Sequence, residues 1–264
     1  MGVGMPELPE VEYASRVLRA AVVGRTIGNV TVLHPSQRRQ LPPRDVARLV
    51  GTTISTVERR GKHQLIGLSS GDTLVVHFRM TGDWLVDSIT DDVPRFARVV
   101  VELTDGVRVS LVDPRALSTV SLHRDGDASL PVLGPDAADP TLSVEAFGVA
   151  LSRRRAAIKV ALLDQRVLAG VGNIYAAEAL WVARINPQAV ASSLSAARRV
   201  RLLEAIRSVL DKAQRSSGRY RDDGVGRFEV YDREGLPCTR CGHRIRRIVQ
   251  GGRSTYFCPH CQRR

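Results

Sequence analysis

The sequence predicts an α+β protein in which a helix and a β domain precede a helical domain and a small cysteine-containing module. From Thr26 to about Leu122, short segments of alternating apolar and polar residues are separated by turn residues, a pattern typical of a β-sandwich or barrel. Beyond Leu142, apolar residues recur at helical spacing. The four cysteines all lie at or after Cys238, so none of them can cross-link the main body of the chain.

The composition indicates a globular protein with a polyanionic partner. The chain has 264 residues, of which 43% are hydrophobic, and it contains no apolar run of roughly 18 residues that would span a membrane. The formal net charge of +12 favours nucleic acid, although membrane surfaces and ribosomal particles also attract basic proteins. The first residues lack a basic-then-apolar signal peptide, which favours a cytoplasmic location.

In the first half we expect a helix from Pro6 to about Ala21, because apolar residues recur along it at helical spacing. Strands bounded by turn residues should follow at Thr53–Val57, Gln64–Leu68, Thr73–Phe78, Val99–Leu103 and Val107–Val112.

In the second half, a polar linker over residues 125–140 precedes helices. These are expected at Leu142–Leu151, Arg155–Leu163, Tyr175–Ala183 and Ser195–Ala213, the last with a core stripe of Val200, Leu203, Ile206 and Leu210. A flexible linker, Ser216–Gly226, leads to the cysteine module. The expected domains therefore span residues 5–124, 141–226 and 227–264.

The segment Met5–Glu12 contains a proline that becomes the N-terminal residue if translation starts at Met5 and that methionine is removed. Pro6 would then carry a free secondary amine, and an α-amino group that titrates at about pH 8 is partly nucleophilic at neutral pH. Its attack on a sugar aldehyde carbon gives a permanently charged iminium, which favours elimination of a neighbouring phosphate. The alternative is that Pro6 and Pro9 simply open a helix with carboxylates in its first turn.

The cysteines form two Cys-x-x-Cys pairs whose spacing matches a tetrahedral Zn²⁺ site with four thiolate ligands: Cys238, Cys241, Cys258 and Cys261. Two disulfides are the alternative, which a cytoplasmic location disfavours. We expect His243 and His260 to be bystanders, because four thiolates already fill the coordination shell. The segment between the pairs contains four arginines and no acid, and it predicts a β-hairpin that lays cations along phosphate.

Other segments suggest phosphate contacts less specifically. The glycine turn Gly170–Asn173 runs into a helix, so it predicts either a phosphate site at the helix N-terminus or a simple interhelical turn. The basic turns Arg59–Lys62 and Arg153–Arg155 indicate either phosphate contacts or a solvated surface. Met80 is either a core residue or an apolar wedge for a base stack.

These segments occur in a fixed order, together with His77–Gly82, Asp113-Pro114-Arg115, Ala157-Ile158-Lys159 and Gly252-Arg253. In that order the chain resembles the formamidopyrimidine-DNA glycosylase / endonuclease VIII family over nearly its whole length, and within it formamidopyrimidine-DNA glycosylase most closely. The resemblance implies an N-terminal β-sandwich with an N-terminal helix, a helix-two-turn-helix domain and a C-terminal β-hairpin zinc finger.

The resemblance also implies a bifunctional DNA glycosylase and apurinic/apyrimidinic (AP) lyase of base excision repair. Its partner would be double-stranded DNA containing oxidised bases or abasic sites, with no membrane, and the protein would act as a monomer. Pro6 would be the Schiff-base nucleophile at C1′, Glu7 the acid, Lys62 the group that assists β-elimination and Arg253 the group that assists δ-elimination. One structural Zn²⁺ would be held by the four cysteines. The expected DNA-binding residues are Glu10, Met80, Arg115, Leu117, Arg154, Lys159, Asn173 and Tyr175, of which Met80 and Arg115 would fill the gap left by a flipped base.

Some features depart from the family pattern. Residues 1–4 precede the expected start and, if retained, would block Pro6 in an amide. Leu117 follows Asp113-Pro114-Arg115-Ala116 where an aromatic residue is often found, and Phe96 lies where a DNA-contacting histidine is expected. Residues 216–227 look short for the loop that caps oxidised purines.

Three functions therefore remain to be distinguished. Oxidised purines (8-oxoguanine and formamidopyrimidines) are the favoured substrates, with oxidised pyrimidines as the alternative. A non-catalytic damaged-DNA-binding protein is expected if Pro6 is not the mature N-terminus. A zinc-ribbon regulator would explain the charge and the finger, but not the positions of Pro6, Glu7 and Lys62.

Overall fold

The computed structural model describes residues 5–124, 132–215 and 228–263. The chain divides into two compact units, one comprising Met1–Pro6 with Glu10–Pro131, and the other Glu7–Pro9 with Val132–Arg264. Within the described ranges no helix is both long and apolar enough to cross a membrane. The predicted leader at residues 1–4, the linker residues 125–131 and the segment 216–227 lie outside the described residues.

The first unit is built from two four-stranded antiparallel sheets. Its described strands are β1 (Ile27–Val32), β2 (Ile54–Arg60), β3 (His63–Leu68), β4 (Thr73–His77), β5 (Asp83–Ser88), β6 (Ala97–Leu103), β7 (Val107–Val112) and β8 (Thr119–His123). The strand orders are β1-β6-β7-β5 and β2-β3-β4-β8. Val30 and Leu111 of the first sheet share one buried core with Val76 of the second and with Leu18 of helix α1 (Leu8–Val22). Because both sheets face one core, the predicted β-sandwich is confirmed.

The first unit also contains elements that the sequence pattern did not predict. Helices α2 (Pro35–Gln40) and α3 (Pro43–Leu49) are too short to show a helical period, and each begins with a proline, which suits the first helical turn. Strands β1, β5 and β8 lie within the predicted β region but outside the segments named for it, and all three are edge strands.

The second unit combines helices with a hairpin. Its described elements are α4 (Val144–Ser152), α5 (Ile158–Leu163), α6 (Asn173–Val182), a 3₁₀ turn at Ala191–Ser193, α7 (Ala196–Arg215) and the antiparallel strands β9 (Arg246–Gln250) and β10 (Arg253–Phe257). This confirms the predicted helical domain and the C-terminal hairpin.

Two details of the second unit differ from the prediction. On α7, Val200 is exposed and Leu202 is buried instead, because α7 packs against both α4 and α6 and so buries a wider face. Part of the expected linker also belongs to this unit: Ala137 is fully buried, its N–H donates to Ala169 O at 2.9 Å, and Ala169 N–H donates to Pro135 O at 2.8 Å.

Candidate active site

In the second unit, the carboxylate of Glu7 lies against the N-terminus of α6. Oε2 accepts hydrogen bonds from Gly172 N–H at 2.9 Å and Tyr175 N–H at 3.3 Å, while Oε1 accepts one from Ile174 N–H at 2.8 Å. The residue that precedes this helix, Gly172, has no side chain that could cap it. Glu7 instead satisfies N–H donors that the first turn leaves without helical partners. The N–H groups that the sequence suggested for a phosphate therefore bind the carboxylate of Glu7.

The glycine turn before α6 contacts the backbone and side chain of Leu8, the residue after Glu7. Leu8 N–H donates to Gly170 O at 3.1 Å, and Gly170 has a φ of +99°, in the left-handed region. A Cβ at Gly170 would lie 2.5 Å from Leu8 Cδ1. A glycine is thus required both by the backbone conformation and by the close approach of Leu8.

A buried polar network lies beside Glu7. Lys159, which is fully buried, donates from Nζ to Asn173 Oδ1 and to Ser254 O, and Asn173 Nδ2 donates to Ser254 O at 3.1 Å. Burial, and next the positive charge of Arg253, lower the pKa of Lys159 to about 8, whereas the charge of Glu7 opposes that shift. Arg253 itself is exposed at the start of β10.

Two of the expected DNA-binding residues in this unit are placed differently from the expectation. The ring of Tyr175 lies in the apolar core, only 2% exposed, and its backbone N–H serves Glu7. The buried ammonium of Lys159 holds the side chain of Asn173. Asn173 is half-buried, and Arg154 forms a half-exposed ion pair with Asp164 at 3.1 Å, outside this network.

Glu178 is a further residue of this network that the sequence analysis missed. Its carboxylate, buried in α6, accepts hydrogen bonds from the N–H groups of Glu229, Val230 and Tyr231 at 2.9, 2.9 and 2.8 Å. Burial raises the pKa of Glu178, and these three donors only partly offset that rise. Tyr231 in turn hydrogen-bonds to Asn173. The feature of the sequence that could have identified Glu178 is that it is the single charged residue in a mostly apolar helix.

The four cysteines form one cluster that fits a zinc ion. Their Sγ atoms all lie within 4.8 Å of one another, and Cys241 Sγ is 3.5 Å from Cys258 Sγ, close to the separation of about 3.8 Å in a tetrahedral thiolate site. Trp181 Nε1–H donates to Cys238 Sγ at 3.4 Å. Burial raises the pKa of Cys258 and of Cys261, whereas at Cys238 hydrogen bonds from Trp181 and from backbone N–H groups outweigh burial and lower the pKa. One structural Zn²⁺ is therefore held by Cys238, Cys241, Cys258 and Cys261.

In the first unit, Lys62 lies in the tight turn between β2 and β3, with only 6% of its surface exposed. The next residue, His63, contacts His77 ring to ring, with centroids 4.6 Å apart. Burial, followed by the charges of His63, Arg79 and Lys62, lowers the pKa of His77 to about 3. His77 Nδ1 accepts a hydrogen bond from Arg79 N–H at 2.9 Å, which requires a neutral imidazole. The sequence analysis had not singled out this histidine pair.

A second feature of the first unit is the loop that presents Arg115 and Leu117. The buried carboxylate of Asp113 accepts hydrogen bonds from the Thr81 hydroxyl and from the N–H groups of Arg115 and Ser118. Burial alone would raise the pKa of Asp113, but these hydrogen bonds outweigh it and lower that pKa. The side chains of Arg115 and Leu117 are left exposed.

Neighbouring residues brace this loop. Asp113 N–H donates to Phe96 O at 3.0 Å, and Arg98 donates to Asp113 O at 2.6 Å. Phe96 has a φ of +68°, and the guanidinium carbon of Arg95 lies 4.6 Å from the centroid of its ring. Of the remaining expected site residues in this unit, Met80 is half-buried, and Pro6 and Glu10 are buried.

Comparisons with known proteins cover nearly the whole chain. It matches the formamidopyrimidine-DNA glycosylase N-terminal domain over residues 5–120, the formamidopyrimidine-DNA glycosylase H2TH domain over residues 133–222, and a zinc finger found in FPG and IleRS over residues 235–264.

Among curated relatives, the formamidopyrimidine-DNA glycosylase of Herpetosiphon aurantiacus is 42% identical, covering 98% of this chain and 100% of the relative. That of Chloroflexus aurantiacus is 41% identical over 98% of each chain. Among solved structures, Lactococcus lactis formamidopyrimidine-DNA glycosylase bound to DNA containing an AP site gives a TM-score of 0.90 at 30% identity, covering 98% of this chain and 100% of that one. The Lactococcus lactis protein with Fapy-dG-containing DNA gives a TM-score of 0.88 at 29% identity, with the same coverage.

Proposed function

Since the chain belongs to the formamidopyrimidine-DNA glycosylase family, we propose that it is a DNA glycosylase and AP lyase of base excision repair that removes oxidised bases. The observation that carries this proposal is the position of Glu7, whose carboxylate is fixed by three backbone N–H groups of the α6 N-terminus. An acid is thereby held beside the residue that becomes the nucleophile, because Pro6 is its chain neighbour.

The proposed reaction begins at the nitrogen of Pro6, which is a free amine when translation starts at Met5 and that methionine is removed. Its lone pair adds to C1′ of the damaged nucleotide as the bond from C1′ to the base breaks, and the base leaves with a proton. Glu7 protonates O4′ or the leaving base, and ring opening gives an iminium between Pro6 and C1′. Loss of the C2′ proton then expels the 3′ phosphate, and a further proton loss expels the 5′ phosphate, after which water releases the enzyme.

Lys62 and Arg253 are the groups proposed to assist the two eliminations. Lys62 is held in the turn between β2 and β3 within the first unit, and Arg253 at the start of β10 within the second. A cation beside a departing phosphate stabilises the charge that develops on it. The full burial of Lys159 and its hydrogen bond to Asn173 support a positioning role for this lysine rather than a direct contact with DNA.

Binding to damaged double-stranded DNA is proposed to use the exposed cations and the apolar tips of loops. Arg154, Asn173 and Arg253 would hold backbone phosphates. Arg115, Leu117 and Met80 would fill the space that the extruded base leaves, since an enzyme cannot cut a base within the stack. The rigid support of the 113–118 loop by Asp113 favours this use, because a wedge must resist the pressure of the neighbouring base pairs.

Oxidised purines are the proposed substrates, and the protein is proposed to act as a cytoplasmic monomer. The test is excision from matched duplexes that carry 8-oxoguanine, a formamidopyrimidine or an oxidised pyrimidine, with protein that begins at Pro6. Faster release of the purine lesions is expected. Faster release of the oxidised pyrimidine would assign the substrate class of endonuclease VIII, and tight binding without release of any base would contradict the enzymatic proposal.

A further inference from the structure

A second group of metal-ligating side chains lies at the surface of the cysteine module. Cys241 Sγ and one ring nitrogen each of His243 and His260 all lie within 4.8 Å of one another. The two imidazole rings stack with centroids 4.1 Å apart and planes 10° from parallel. Both histidines are exposed. We propose that His243, His260 and the thiolate of Cys241 bind a second divalent ion of the zinc class, with Cys241 bridging it to the structural zinc.

The distances favour this assignment. A tetrahedral ion with two imidazole nitrogens and one sulfur keeps its ligand atoms about 3.3–3.6 Å apart. The backbone that carries His243 is fixed, because Gly242 N–H donates to Cys238 O and Cys238 N–H donates to His243 O, both at 2.8 Å. Only the exposed rings must turn to bring the nitrogens to this separation, and the rotamers of exposed side chains change readily. Ligand chemistry agrees, since imidazole and thiolate suit zinc-class ions and not Mg²⁺ or Ca²⁺.

The surroundings provide access to the group, and the charges near it act in opposite directions. A cavity of about 380 Å³ opens beside the group, lined by Cys241, His260, Cys261 and three arginines. It gives an ion an entry path and leaves room for water as the fourth ligand. A zinc ion with four thiolates carries a net charge of −2, which a bridging cation reduces, whereas Arg184, Arg240 and Arg263 at the cavity wall oppose it. Removing one of these arginines should therefore strengthen binding of the second ion.

This site is independent of the proposed repair function. The sequence assigned no role to His243 and His260, because four thiolates satisfy the structural zinc without them. The structure adds that the two Cys-x-x-Cys turns carry these side chains to one place, one after the first pair and one within the second. A shared thiolate also links the surface ion to the buried one.

The test counts metal ions in the tag-free full chain by native mass spectrometry after incubation with excess Zn²⁺. Wild type should carry two ions, and a His243→Asn/His260→Asn double variant should carry one. Arg184→Ala, which alters the same cavity without removing a ligand atom, should keep two. One ion in wild type, or two in the double variant, would overturn the proposal. Loss of both ions from the double variant would also overturn it, because the histidines would then belong to the structural site.

A cobalt titration provides a second readout. Wild type should show two successive steps in the ligand-field absorption of Co²⁺, the first with intense thiolate charge transfer and the second with a change in that band as Cys241 becomes a bridge. The double variant should show the first step only. A second step that leaves the thiolate band unchanged would remove Cys241 from the site.

Discussion

The carboxylate of Glu7 accepts a hydrogen bond from the backbone N–H of Ile174 at 2.8 Å, across 167 positions of the chain. This bond, with those from Gly172 and Tyr175, makes the residue after Pro6 part of the first turn of α6. The N-terminal segment is therefore anchored by a helix terminus, whose partial positive charge suits a carboxylate.

Glu7→Gln should impair base excision by on the order of 10²-fold, because an amide cannot deliver the proton and its NH₂ group faces backbone donors. Affinity for a duplex with an abasic site should change much less. Single-turnover excision and equilibrium binding measure the two effects. Glu12→Gln is the matched control, since Glu12 lies in α1 shortly after Glu7 and pairs with Arg59 at 2.8 Å. Equal losses in the two variants would contradict the role of Glu7.

Gly170→Ala should destabilise the protein more than Gly24→Ala does. Both glycines have positive φ, +99° and +83°, and share a backbone cost of about 1–2 kcal/mol. Only at Gly170 does the new Cβ meet Leu8, and this overpacking adds about 1–3 kcal/mol. Urea unfolding of both variants measures the difference. Similar losses would mean that Leu8 moves away without cost.

Glu178→Ala should cost about 2–4 kcal/mol, because it leaves the N–H groups of residues 229–231 without their acceptor. It should also speed zinc release to a chelator, since this segment leads into the cysteine module. The control is Glu204→Ala, an exposed position on α7 where a change within about 0.5 kcal/mol is expected. Unchanged stability in Glu178→Ala would show that water replaces the carboxylate.

The low pKa of His77 predicts a loss of stability in acid. Its pKa falls from 6.5 to about 3 on folding, so between these values the unfolded chain binds the extra proton. The contribution is fully present above pH 6.5 and is lost as the pH falls towards 3. Between pH 7 and about pH 4.5, wild type should lose roughly 1–3 kcal/mol more stability than His77→Asn. Parallel pH profiles of the two proteins in urea unfolding would contradict this.

The sequence was sufficient to predict features that depend on local spacing. The Cys-x-x-Cys pairs predicted the metal ligands, and hydrophobic periodicity predicted α1, α7 and the strands β2, β3, β4, β6 and β7. Helices α2 and α3 were not predicted, because each is shorter than the window in which a helical period can be recognised. Val200 was misassigned because which face of a helix is buried depends on how many neighbours pack against it.

The parts of the site that depend on distant pairs could not be predicted. Glu178 and the backbone of residues 229–231 meet only in the folded chain, as do Asp113 and Thr81. For the glycine turn before α6 the sequence left open a phosphate site or a simple interhelical turn, and in the structure its N–H groups bind the carboxylate of Glu7. The glycine spacing indicates where backbone N–H donors are exposed, but it does not determine which acceptor binds them.

The central claim, that the amine of Pro6 forms the covalent intermediate, is tested most directly by borohydride trapping on a duplex with one abasic site. Protein that begins at Pro6 should give a covalent adduct with DNA, whereas Pro6→Gly should lose most of the trapping and retain binding. Protein that retains Met1 to Gly4 should give no adduct, because its proline nitrogen is an amide. An equally strong adduct from the protein with the retained leader would contradict the account.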